Sequence, residues 1–202
     1  MSNRKKWNDE TSEKYENGSL RVCLFVSRNK DNRSLENYKE RREAFLTSRD
    51  ENDDKLLAKF ETFVNSGLKG EFSRFYLSVN KRDNEKTHRA LLHYLIDHPD
   101  FNLASLPAKI ASEAAKTENS SEKKWFFDVD DESDEHLAEF LKDLQEEADF
   151  GAEDYRSYKT PHGFAVVVCH GFDTRKLLEK WSDTVTLKRD DLRCVKWGMR
   201  SK

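Results

Sequence analysis

The chain has 202 residues, of which 37% are charged and 36% hydrophobic, and its formal net charge at pH 7 is −3. That length suits one substantial domain, and the near balance of acids and bases argues against a protein that coats nucleic acid by bulk charge. Three scattered cysteines with no CxxC pair argue against a structural zinc site or a disulfide framework, and no apolar run approaches membrane-spanning length.

A soluble, cytoplasmic protein with reduced thiols and no membrane partner is therefore expected. Its 13 Phe, 6 Tyr and 4 Trp must supply much of the core. Residues 1–19 are polar and read as a flexible arm, and residues 20–202 as a single α+β domain.

In chain order, "SLRVCLFVSR" (19–28) alternates like a strand. "SLENYKERREAFLTS" (34–48) has a Ser cap followed by helix formers and predicts a helix. "DDKLLAKFETFVNSG" (53–67) places Leu56, Leu57, Phe60, Phe63 and Val64 at helical spacing and stops at Gly67. "EFSRFYLSVN" (71–80) predicts a second strand, and helices follow over 83–99 and 102–116, the latter with its start limited by Pro107. After the linker-like "TENSSEKK" come strand 124–130, helix 133–148, strand 163–170, helix 173–181, and strands near 184–189 and 193–197. The alternation predicts a sheet of split β-α-β type with helices packed on it and an N-terminal helical extension.

"KKWFFDVDDESDEH" (123–136) carries the chemistry that stands out most. Strand periodicity puts Asp128 and Asp130 on one face, a minimal clamp for a divalent ion of the magnesium type. A third carboxylate, Asp190 or Asp191 of "TVTLKRDDLRC", would complete a shell for two-metal phosphoryl chemistry. The same acids also read as a buried strand running into a helix cap, since Ser133, Glu132 and Glu135 suit a helix start. "YRSYKTPHGFAVVV" (155–168) holds a Thr-Pro-His-Gly turn that presents Lys159, Thr160 and His162 at the mouth of a strand, either to a phosphate or simply to water. "NKRDNEKTHR" (80–89) clusters Lys81, Arg82, Lys86 and Arg89, which form either a phosphate-contacting patch or a solvated helix start.

A strand with "FFDVD", a turn and Gly leading into an apolar strand, and a late Asp resemble the archaeo-eukaryotic primase superfamily, over about residues 71–197. The strand-turn-helix "SRFYLSVNKRDNEK" (73–86) is similar to the opening of such palms. The resemblance implies an RRM-like palm that transfers nucleotidyl groups and binds a nucleotide and DNA or RNA. It implies Mg²⁺ or Mn²⁺ on Asp128, Asp130 and Asp190, with Lys159, Thr160, His162 and Arg189 approaching the triphosphate. The chain departs from the family pattern at Ala165, where the family places a histidine. Either His162 replaces that group, or the palm has lost polymerisation. The second possibility leaves a non-catalytic RRM-like protein, binding nucleic acid or a protein partner as an inhibitor or regulator of the size phages encode. A haloacid-dehalogenase-type phosphohydrolase also opens on strand-"DVD", but the late position of the motif and Asp131-Glu132 argue against it.

Overall fold

The computed structural model describes residues 20–201; the arm expected over 1–19 lies outside them. Over the described residues the fold is α+β, with two four-stranded antiparallel sheets and five α-helices. The first sheet has the order β2-β1-β3-β8, built from β1 (Arg21–Ser27), β2 (Arg41–Thr47), β3 (Phe72–Ser78) and β8 (Leu192–Met199). The second has the order β5-β6-β4-β7, from β4 (Trp125–Val129), β5 (Tyr155–Thr160), β6 (Gly163–Val168) and β7 (Val185–Lys188).

Strand alternation sorts each sheet into two faces. In the first sheet, Cys23, Phe25, Phe75 and Leu77 meet Leu56, Phe60, Phe63 and Val64 of α1 (Asp54–Asn65), whose start is capped by the Asp53 carboxylate. On the other face, Val22 packs on Ala111 and Ala114 of α3 (Leu106–Ala114) with Ala44, Leu46 and Leu192. The helix α2 (Asn84–Asp97) precedes α3 and buries only Thr87. In the second sheet, Phe127, Val129, Phe164, Val166 and Val168 face Phe140 and Leu144 of α4 (Asp134–Ala148) and Leu177 and Trp181 of α5 (Arg175–Trp181). That leaves Phe126, Ala165 and Val167 on the opposite face, where they pack with Val79. Among the described residues no helix is long and apolar enough to cross a membrane.

Two expectations need correction. Residues 34–48 are not a helix: 41–47 form β2, paired with β1 from Arg41↔Ser27 to Thr47↔Arg21. The helix formers of this stretch are overridden by a period of two that serves two cores at once. Phe45 packs edge-on against Phe25, with ring centroids 5.3 Å apart, while Ala44 and Leu46 turn to the α3 side. The anticipated N-terminal helical extension is therefore part of a sheet of its own, and the helices pack on two sheets rather than one. Residues 155–160, read as the approach to a turn, form β5, which pairs along its length with β6.

The chain leaves the first sheet at Val79 and returns to it at β8. The Val79 amide donates to the Asp191 carbonyl at 3.1 Å, so exit and return are adjacent. Everything between, including the whole second sheet, is an insertion into the first.

Candidate functional site

A cavity of about 230 Å³ opens between the two sheets. β4 explains half of it. Phe127 and Val129 point to the helices, so Phe126, Asp128 and Asp130 share the face turned to the cavity. Asp128 stands opposite Ala165 of β6 on one side and Thr186 of β7 on the other. Its Oδ2 accepts from Nζ of Lys188 at 2.8 Å. Asp130 is exposed at the strand end, where its amide donates to the Thr184 carbonyl at 2.8 Å.

The first sheet supplies the facing wall: Arg28 and Lys30 beyond β1, Arg74 and Tyr76 on β3, and Leu192 and Cys194 on β8. Behind it, Asp31 takes both arginines. Arg74 donates to its two oxygens at 2.9 Å each, and Arg28 at 2.8 and 3.1 Å. Burial pushes the Asp31 carboxyl up, but the bonds from Arg28 and Arg74 outweigh it and hold the group below the usual aspartate range. Arg74 also donates to Nε2 of His162 at 3.0 Å, so the turn between β5 and β6 is anchored to the opposite sheet. Burial depresses the Lys188 ammonium, and the bond to Asp128 reverses this, leaving it above the usual lysine value. Burial pushes the Cys194 thiol up to about 11, so the wall holds a neutral thiol at neutral pH.

Both readings of the acidic stretch are realised, by different residues. Asp131 accepts from the Ser133 amide at 2.7 Å, and Ser133 accepts from the His136 amide at 3.2 Å, which makes the start of α4. Asp128 and Asp130 are left for the cavity.

Of the residues singled out in the sequence, the structure brings Asp128, Asp130, Thr160 and His162 together in the cavity lining. Lys159 stands apart on the edge strand, its ammonium 3.2 Å from the Glu132 carbonyl and over the Phe164 ring. Arg189 is exposed and lies 5.2 Å from the Trp125 ring centroid, outside that lining. Asp190 is not brought to Asp128 and Asp130. Its oxygens accept from Arg82 at 2.8 and 2.9 Å and from Asn80 at 3.0 Å. Asp191 accepts from the Leu192 amide. Arg82 is 1% exposed and so is no surface contact for nucleic acid, whereas Lys86 and Arg89 are exposed at the start of α2 and Lys81 is half-buried.

Arg28, Arg74 and Lys188 were not foreseen. An arginine in the middle of the apolar strand "FSRFYLS" was the available signal for Arg74, because a buried guanidinium requires an acid and a purpose. A second hollow of about 230 Å³ lies on the other side of the Val79–Phe126–Ala165–Val167 cluster. Most of its charges are satisfied: Arg193 sits on Glu51 and the Tyr158 ring, Lys124 on Glu122, and Arg156 on backbone carbonyls.

Among the described residues, no three His, Cys, Asp or Glu side chains gather as a metal-ligand group. Compared with protein-family models, curated proteins and solved structures, the chain matches none.

Proposed function

We propose that the protein binds a nucleotide, free or at the end of a DNA or RNA strand, in the cleft between the sheets. In this reading the second sheet is an RRM-like, primase-palm-like platform. Its two split β-α-β crossovers and the order β5-β6-β4-β7 support that assignment. The observation that carries the proposal is the opposition of charges across the cavity. Asp128 and Asp130 look out from one sheet, and Arg28, Lys30 and Arg74 look back from the other, with His162 at the rim.

Phosphate oxygens would lie on the cationic wall, where charge-assisted bonds are strongest. Asp128 and Asp130 suit one Mg²⁺ or Mn²⁺, because such ions commonly take one or two carboxylates and complete their shell with phosphates and water. When bound, that ion would neutralise phosphate charge. A two-metal arrangement does not fit these residues, since both oxygens of Asp190 are held by Arg82. The same ion pair, together with Ala165 opposite Asp128, favours a binding role without nucleotidyl transfer.

Titration with a fluorescent nucleoside triphosphate tests the reading. Lys30→Ala combined with His162→Ala, both at exposed positions, is expected to weaken binding at least about tenfold, consistent with loss of charged hydrogen bonds. Unaltered affinity in that variant would remove the cleft from consideration. Incorporation of labelled nucleotide on a primed template is expected to stay at background; robust incorporation lost in Asp128→Asn would reinstate the enzyme.

A further inference from the structure

We infer that Lys188 is a built-in counter-ion that couples cation binding at Asp128 to the arrival of a phosphate. The inference rests on the cleft reading above and concerns how that site is regulated. Lys188 pairs with Phe126 in the β4–β7 register and so sits diagonally from Asp128 on the same face of the sheet. Its ammonium lies 2.8 Å from Oδ2, and the two side chains are about equally wet, 32% and 29% exposed.

A divalent ion and this ammonium compete for one carboxylate. Before a ligand binds, Asp128 is already neutralised, whereas the Asp130 carboxylate has no ion pair among the described residues. An ion entering alone has to displace Lys188 into a cleft that also holds Arg28, Lys30 and Arg74, where a freed ammonium meets like charge. A phosphate changes this. It offers Lys188 an anionic partner in the same cavity, and a lysine can follow it because its charge rides on a flexible four-carbon stem. Asp128 is then open to the ion. The arginines on the opposite wall cannot make the same exchange, because Asp31 fixes both.

Coupling of this kind is reciprocal: the factor by which nucleotide tightens the ion equals the factor by which the ion tightens nucleotide. Part of that factor comes from direct bridging of the ion by phosphate and is independent of Lys188. The part that depends on Lys188 disappears when its charge is removed. Lys188 is thus a positioning residue, acting through Asp128.

The experiment measures Mn²⁺ binding by electron paramagnetic resonance, with and without a non-hydrolysable nucleoside triphosphate. It compares the intact protein with Lys188→Met, Lys188→Gln, Lys188→Arg and Asp130→Asn. Removing the charge is expected to tighten Mn²⁺ alone about five- to tenfold and to shrink the nucleotide coupling by the same factor. Lys188→Arg should behave like the native protein, and Asp130→Asn should lose the ion. Met and Gln together guard against a variant that misfolds. If Mn²⁺ binds and depends on Asp130 but is indifferent to Lys188, the counter-ion role is overturned while the cleft stands. If Mn²⁺ binds no form, or survives Asp130→Asn, the ion site at Asp128 and Asp130 is overturned and this inference with it, while nucleotide affinity in Lys30→Ala combined with His162→Ala still decides the cleft.

Discussion

Position 165, where the primase resemblance expects a histidine, holds an alanine. Ala165 is 1% exposed, packs with Val79, Phe126 and Val167, and lines the cavity opposite Asp128. His162 reaches across from the rim instead, to Arg74. Asp128 and Asp130 were legible because a period of two fixes which side chains share a face. Asp190 was not: an acid after a strand reads the same whether it faces a metal or an arginine 108 residues away. The cationic wall was equally hidden, because Arg28 and Lys30 follow β1 while Arg74 lies on β3, and only the long-range pairing of those two strands brings them together. Asp31 keeps that wall in place, and its stabilisation has a definite pH sense. Its folded value lies below the ordinary one, so the contribution is complete above the usual aspartate range and is lost as pH falls through the depressed value. Asp31→Asn should therefore cost about 3 kcal/mol at neutral pH, the lower end for a broken buried pair. The difference from the native protein should shrink as pH is lowered from about 5 toward 2, which is checked by urea midpoints across that range.

The two strands missed in the sequence, β2 and β5, are both edges, one in each sheet. Edge strands carry charge on purpose, which keeps them from pairing with other chains, and "RREAFLT" and "YRSYKT" are charged enough to disguise their alternation. The inner strands β1, β3, β4 and β6 have no such disguise, and they and the helices α1, α2 and α4 fall where hydrophobic period puts them. The hairpin joining β5 to β6 depends on Gly163, whose φ is +151°. A Cβ there would lie 2.0 Å from the Val129 carbonyl oxygen. Gly163→Ala should cost roughly 1–3 kcal/mol from backbone strain alone, and more from that contact. A melting temperature within a degree of the native value would show that the turn tolerates a side chain.

For the molecule as a whole, Asp190 matters because of where the chain passes between the sheets. Arg82 holds Asp190, and Asn80 bonds both Asp190 and the backbone of Lys124. These contacts close a neck of three segments, one leaving β3, one entering β4 and one entering β8. Removing Asp190 leaves a guanidinium buried without its partner. Asp190→Ala is expected to lose about 3–5 kcal/mol and to let the two sheets unfold in separate steps, seen as two classes of amide exchange. A loss under about 1 kcal/mol with one cooperative transition would mean that the neck is held by packing alone.

Because the first sheet needs β8, the order of synthesis has consequences for this fold. β1, β2, α1 and β3 leave the ribosome early, yet β3 gains its second neighbour only when Leu192–Met199 follow. The second sheet, whose strands are contiguous in the chain, has all its parts once β7 ends at Lys188, just before β8 begins at Leu192. A nascent chain paused after β7 thus offers one complete sheet beside an open, half-apolar edge, the kind of surface on which chaperones act and aggregates start.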